Sequence, residues 1–163
     1  MRDAQLYFDE IVAPTIADFE TNFTSRRHAY LACAALVHTL DYIAFADGKP
    51  RSKRVGVLRQ QFAKNRHFLI VDRVAHAFKH VHSDGQTSIR NGGDKVTGLD
   101  VGHMMVIPRE SNWSPTETIR RLNMIPVSVM TADGPVDLLA TLHEAAAFIR
   151  ERIEISNTGE EAG

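Results

Sequence analysis

Apolar side chains recur with helical spacing over the first part of the chain. Over residues 4–19 they return every three or four positions, which predicts a first helix that Pro14 kinks or divides. A second helix is predicted over residues 26–46. It is apolar nearly all round, a pattern typical of a helix buried among others. The amide and hydroxyl side chains of residues 22–25 are suited to capping its N-terminus.

Two more helices are predicted before the middle of the chain. Ser52 is a candidate cap for a short third helix that ends at Asn65. A fourth helix is predicted over residues 68–82. One of its sides is apolar and consists of Ile70, Val71, Val74, Phe78 and Val81. The other side, which we call the polar stripe, consists of Asp72, Arg73, His76, Lys79 and His80. This pattern is compatible with a cleft, a dimer seam or the core.

The remaining sequence mixes turn residues with short apolar runs. Strands are predicted over 99–107 and 124–130, with a turn at 132–134. Pro135 is predicted in the first turn of a last helix that runs to about residue 155. The fold class is therefore mainly α: a helical bundle of four to five helices with a small antiparallel β-hairpin inserted before the last helix.

The predicted domain organisation is simple. Residues 1–155 form one domain, residues 84–134 are its β insertion, and residues 156–163 are too polar to pack and form a disordered tail. Cys33 is the single cysteine, so no intramolecular disulfide forms, and it is predicted to be a small buried residue.

Charge and composition narrow the classes of function. The net charge of -1 excludes an overall basic nucleic-acid binder. Residues 48–71 nevertheless contain no acidic side chain and carry a local excess of lysine and arginine, which favours an anion-attracting surface. No apolar run approaches the roughly 20 residues that span a bilayer, and the N-terminus does not resemble a signal peptide. We therefore expect no membrane association and a cytoplasmic location.

The polar stripe contains side chains suited to phosphodiester chemistry. Such chemistry needs positive charge near the phosphate and a group that transfers protons near neutral pH. Arginine suits the first task and histidine the second. Arg73 and His80 are seven positions apart, which places them on one side of a helix. Lys79 and Arg66 are expected to add electrostatic stabilisation.

This arginine and histidine on a helix of a small bundle resemble the signature of the HEPN superfamily. The positions Asp72, Ala75, Ala77, Lys79 and His80 also resemble a motif of uncharacterised bacterial helical proteins. The HEPN resemblance implies a mostly α-helical domain, often dimeric, in which the Arg and His of both chains face each other across a cleft. Many members cleave RNA without a metal, some serve in toxin–antitoxin or antiviral systems, and others are non-catalytic binding modules.

On this resemblance we expect a homodimeric protein that binds RNA, or cleaves it without a metal, and that needs no cofactor. Arg73 would stabilise the charge of the transition state, His80 would transfer protons, and Asp72 would orient a basic neighbour, with His76 beside them. The predicted substrate-binding residues are Lys79, Arg66, Lys64, Arg59 and Arg54. Val74 stands directly after the arginine, at a position that is usually polar in active members.

Two alternatives remain open. The first is a metal site formed by His38 and Asp41 of the second helix with His76 and His80 of the fourth, although Arg73 and Lys79 would repel a cation. The second is a non-catalytic interaction or structural module. In that case His38 and Asp41 hydrogen-bond to the polar stripe inside the bundle, and the basic segment binds an acidic protein partner.

Overall fold

A computed structural model of the chain describes residues 2–45, 51–79, 126–131 and 133–160. The N-terminal segment consists of α1 (Arg2–Tyr7), a π-helical turn (Phe8–Val12) and α2 (Ala13–Thr21). Then follow α3 (Arg26–Phe45), α4 (Arg51–Phe62), α5 (Arg66–Lys79), β1 (Ser128–Thr131), β2 (Gly134–Asp137) and α6 (Leu138–Glu160). The predicted fold class is confirmed: the protein is mainly helical and has a small antiparallel sheet directly before its last helix.

The N-terminal segment is divided next to Pro14, as predicted. Proline has no backbone N–H and its ring clashes with the carbonyl four residues earlier, here that of Glu10. The backbone responds with the π-helical turn, in which the N–H of Ala13 donates to the carbonyl of Phe8, five residues back. The wider turn separates α1 from α2, and the chain stays helical on both sides of it.

Helix α3 occupies the centre of the bundle and contacts the N-terminal segment, α4, α5 and α6. Ser25 caps it, accepting a hydrogen bond from the N–H of His28 at 3.4 Å. Its buried face is formed mainly by small and aliphatic side chains, so the predicted burial among other helices holds for that face only. Cys33 is fully buried, and burial raises the pKa of its thiol. The opposite face of α3 is exposed to solvent at Tyr42 and Phe45.

Helix α5 packs against α3 and α6. Asn65 caps it, because its Oδ1 accepts a hydrogen bond from the N–H of Phe68 at 2.9 Å. The predicted apolar side is buried where the structure describes it, at Ile70, Val71 and Val74. The Phe78 side chain and residues 80–82 of the predicted helix lie outside the described part of the chain.

The hairpin corrects one prediction about the last helix. The strands reverse between Thr131 and Gly134, at the predicted turn, and Gly134 has a φ of 113° that glycine adopts without strain. Pro135 was predicted in the helix but lies in β2, where a missing N–H is tolerated at a sheet edge. The helix begins only at Leu138 because Asp137 is its cap, accepting from the N–H of Ala140 at 3.0 Å.

The C-terminal end of α6 corrects a second prediction. The sequence predicts that the last helix ends at about residue 155, but the helix continues to Glu160. Each added residue gains a backbone hydrogen bond, which offsets the low helix propensities of Ser, Asn and Thr, about 0.5 kcal/mol each, and of Gly159, about 1 kcal/mol. The predicted strand 99–107 and residues 161–163 lie outside the described residues. None of the described helices combines the length and apolarity needed to cross a membrane.

Candidate functional site

A polar network joins α4 to α5 across the turn at residues 63–65. The Nε atom of Arg59, on α4, lies 3.0 Å from Oδ1 of Asp72 on α5. The imidazole of His76, one helical turn after Asp72, contacts both residues. Its Nδ1 is 2.9 Å from the main-chain oxygen of Asp72 and 3.6 Å from Oδ1, and its Nε2 is 3.2 Å from Nη1 of Arg59. We call these three residues the α4–α5 network.

The partners of His76 determine which of its nitrogens carries the proton. A carbonyl oxygen only accepts hydrogen bonds, so Nδ1 must donate to Asp72. A guanidinium only donates, so Nε2 must accept from Arg59. The contacts therefore fit the neutral tautomer with its proton on Nδ1, a state inferred from the hydrogen bonds.

The carboxylate of Asp72 is the electrostatic centre of the network. Its side chain is 13% exposed, compared with 36% for Arg59 and 40% for His76. Burial raises the pKa of Asp72, while the nearby side chains of Arg59, His76 and Arg73 oppose that rise. The net direction is upward, so desolvation outweighs the pairing with the neighbouring cations.

This pKa direction predicts how Asp72→Asn changes the pH dependence of stability. An acid with a raised folded-state pKa holds its proton more tightly in the folded protein. Its favourable contribution is therefore fully present below the unfolded pKa, about 3.9, and is lost as pH rises through the folded pKa. The free energy of unfolding of the wild type, relative to Asp72→Asn, should decrease across this window and then stay level. Urea denaturation at a series of pH values measures the difference. An increase with pH that is confined to values below about 3.9 would instead mean that the pairing with Arg59 outweighs burial.

Arg73 is placed differently from the other described members of the polar stripe. It is 5% exposed, so it lies within the bundle and not on a solvated face. Helices α3 and α6 both pack against α5 and cover much of its surface. Arg73 lies on the covered side. The low exposure of Arg73 therefore does not support direct contact with a substrate. Its charge nevertheless lowers the pKa of Asp72.

The predicted substrate-binding residues differ in their contacts and in their exposure. Arg59 belongs to the α4–α5 network, whereas Nη2 of Arg66 lies 2.7 Å from Oδ2 of Asp133, at the tip of the hairpin. Lys64 is exposed in the turn between α4 and α5, and Arg54 is half-buried on α4. Lys79 is the last residue of α5, and its side chain lies outside the described part.

The residues of the alternative metal site are also spread out. His38 is 66% exposed, and its Nδ1 lies 3.3 Å from Oδ2 of Asp41 on the same helix. His38 thus faces solvent and not the polar stripe, because it lies off the buried face of α3. His76 instead contacts Asp72 and Arg59. Within the described ranges no three metal-binding side chains come together, and His80 lies outside them.

The role of Arg59 as a link between helices was not predicted from the sequence, which assigned it to substrate binding. The spacing of Asp72 and His76 indicates their contact on one helix face. Nothing local indicates that Arg59, thirteen residues before Asp72, reaches it. The available signal was the charge imbalance: an isolated carboxylate after an acid-free basic segment should attract an arginine from that segment.

The resemblance to the HEPN superfamily depends on Arg73 and His80, of which the first is buried and the second lies outside the described residues. The geometry of the α4–α5 network neither requires nor opposes this resemblance. Comparison with known proteins identifies no relative: no protein-family model, no curated protein and no solved structure matches the chain.

Proposed function

We propose that the protein binds RNA through the surface formed by α4, the turn after it and α5. The observation that carries the proposal is a charge imbalance. Residues 51–79 contain eight lysine and arginine side chains and a single carboxylate, that of Asp72. This carboxylate is already ion-paired with Arg59 at 3.0 Å. Even with Arg66 paired with Asp133 and Arg73 buried, the segment keeps an excess of positive charge that favours a polyanion.

Arginine is well suited to this task because its planar guanidinium binds phosphate oxygens with two parallel hydrogen bonds. Arg59 keeps 36% of its side chain exposed, so a phosphate can reach it from solvent. Lys64 extends the positive surface into the turn, where it is exposed. Neutralising the phosphate charge also releases counterions, which supplies most of the affinity of sequence-independent binding.

The same network contains a group that can transfer a proton. The main-chain oxygen of Asp72 accepts a hydrogen bond from Nδ1 of His76. This bond orients the imidazole and leaves Nε2 as the basic atom. If Arg59 turns from Nε2 to a bound phosphate, Nε2 is available to accept the proton of a ribose 2′-hydroxyl. The 2′-oxygen then attacks phosphorus, and the bond to the 5′-oxygen breaks. We assign protonation of that leaving oxygen to His80, and Arg73 supplies positive charge from inside the bundle.

Metal-independent cleavage is tested with purified protein and mixed RNA, with and without a chelator. We expect cleavage that persists with the chelator and falls by about 10²–10⁴-fold in His76→Ala or His80→Ala, the usual contribution of a general acid or base. His76 is 40% exposed, so its replacement should leave the fold intact. His67→Ala is the matched control, because His67 is an exposed imidazole on the same helix.

Each outcome of this assay distinguishes between the hypotheses. Equal losses in His67→Ala and His76→Ala would contradict the role assigned to the network. Cleavage that is lost only with the chelator would contradict the metal-independent mechanism and indicate a reaction that needs a metal ion. RNA binding without turnover would support a non-catalytic RNA-binding protein. A homodimer, the state that we propose, should sediment at twice the monomer mass.

The second candidate function is a non-catalytic interaction module, and the burial of Arg73 favours it. An arginine that is 5% exposed, next to an ion pair that joins two helices, is typical of a polar network that fixes helix packing. In this case the basic segment binds an acidic protein, and RNA is neither cleaved nor bound. The salt dependence of RNA binding separates the two candidates.

A further inference from the structure

An apolar groove runs between the N-terminal segment and the second half of α3. Its volume is about 530 Å³. Four large hydrophobic side chains line it and are exposed: Leu6 at 53%, Ile11 at 45%, Tyr42 at 39% and Phe45 at 61%. Large apolar side chains that are exposed singly are ordinary on protein surfaces, but a contiguous group of them marks an interaction site.

The rings of Tyr7 and Tyr42, which we call the floor of the groove, contact each other and the main chain of α3. The rings of Tyr7 and Tyr42 are stacked, with their centroids 4.2 Å apart and an interplanar angle of 16°. The hydroxyl of Tyr7 donates to the main-chain oxygen of Ala35 at 3.2 Å, which fixes this ring against α3. The π-helical turn next to Pro14 contributes Ile11 to the wall. A preformed floor lowers the ordering cost that a bound segment would otherwise meet.

The polar lining of the groove is acidic. Asp3 and Glu10 come from the N-terminal segment and Asp41 from α3. Among the lining residues that the structure describes there is no lysine or arginine. The charge of this lining is opposite to that of residues 51–79, and the two surfaces share no residue. Its combination of apolar floor and carboxylate rim is complementary to a helix with large apolar side chains on one face and cations beside them.

We propose that this groove binds an amphipathic, basic helical segment of a partner protein. Apolar anchors of the segment, spaced at i, i+3, i+4 and i+7, would pack on the Tyr7–Tyr42 floor between Leu6 and Phe45. Its lysine or arginine side chains would meet Asp3, Glu10 and Asp41. The apolar contacts provide affinity, and the carboxylates select basic segments over acidic ones.

Two designed peptides of about 18 residues, long enough for a helix, serve as probes. Both place leucine at helical spacing, one with lysine and the other with glutamate at the remaining positions, and each carries a fluorescent label for anisotropy. We expect the lysine peptide to bind at least about tenfold more tightly, and less tightly as salt is added. Leu6→Ser and Phe45→Ser should each weaken it by about tenfold, the effect of losing one apolar anchor.

Ile155→Ser is the matched control, because Ile155 is 54% exposed, as Leu6 is, but lies on α6 and does not line the groove. It should leave the affinity for the lysine peptide unchanged, and circular dichroism should show that all variants fold. Equal binding of the two peptides, no binding of either, or equal losses in Ile155→Ser and Phe45→Ser would overturn the proposal. Self-association that Phe45→Ser abolishes, without peptide binding, would assign the groove to a second copy of the chain.

Discussion

Replacing Phe68 by alanine is expected to lower the free energy of unfolding by about 3–5 kcal/mol, the usual cost of removing a buried phenylalanine. Phe68 is fully buried near the start of α5. Its ring meets that of Phe62 edge to face, with centroids 5.6 Å apart, and Phe62 meets Phe148 of α6 in the same way at 5.3 Å. The three rings join α4, α5 and α6, so alanine at position 68 leaves a cavity where these helices meet.

Phe45→Ala provides the control for this measurement. Phe45 is 61% exposed at the end of α3, and removing an exposed side chain usually changes stability by no more than about 0.5 kcal/mol. Both variants are unfolded in urea and compared with the wild type, with the m-value checked for two-state behaviour. A loss below about 1 kcal/mol in Phe68→Ala would mean that the aromatic contacts are not central to the bundle.

The helices could be predicted from the sequence because each depends on a local pattern. On α5, Ile70, Val71 and Val74 repeat with the helical period, and all three are buried. Pro14 indicates a division of the N-terminal helix for a reason that is local as well, the missing backbone N–H. The sequence places the end of the third helix at Asn65, but α4 already ends at Phe62, and the Asn65 side chain instead caps α5.

The start of the last helix was misplaced for a different reason: two local structures compete for the same residues. Pro135 is acceptable both in the first turn of a helix and at a sheet edge. Pairing of β2 with β1, together with capping by Asp137, favours the second solution and moves the start of α6 to Leu138. Whether Pro135 lies in a helix or in a strand depends on pairing with residues 128–131. The helical pattern of the residues after Pro135 carries no information about that pairing.

The candidate site could be predicted only in part, because a helical wheel assigns residues to faces but does not identify their neighbours. The contact of Asp72 with His76 follows from their spacing of four residues. The burial of Arg73 and the reach of Arg59 to Asp72 depend on how α3, α4 and α6 surround α5. The groove between α1 and α3 is non-local for the same reason, since Leu6 and Phe45 are far apart in sequence.

RNA binding by the α4–α5 surface is expected to depend steeply on salt. Four cations in contact with single-stranded RNA give a slope of about -2.8 for the logarithm of the binding constant against that of the salt concentration. Between 50 and 200 mM salt the affinity should therefore fall by about 50-fold. The candidates for these contacts are Arg54, Arg59, Lys64 and Arg66. Filter binding of a labelled RNA at several salt concentrations measures the slope.

A single substitution locates the contact on the surface. Lys64→Gln should reduce the size of the slope by about 0.7, the share of one phosphate contact. Lys64 is exposed, so the fold should tolerate the change. Arg26→Gln, an exposed cation at the start of α3, should leave the slope as it is in the wild type. Equal effects of both variants would indicate a diffuse electrostatic attraction without a defined surface. Absence of RNA binding at 50 mM salt would favour the interaction module, because the excess charge of residues 51–79 would then meet an acidic protein.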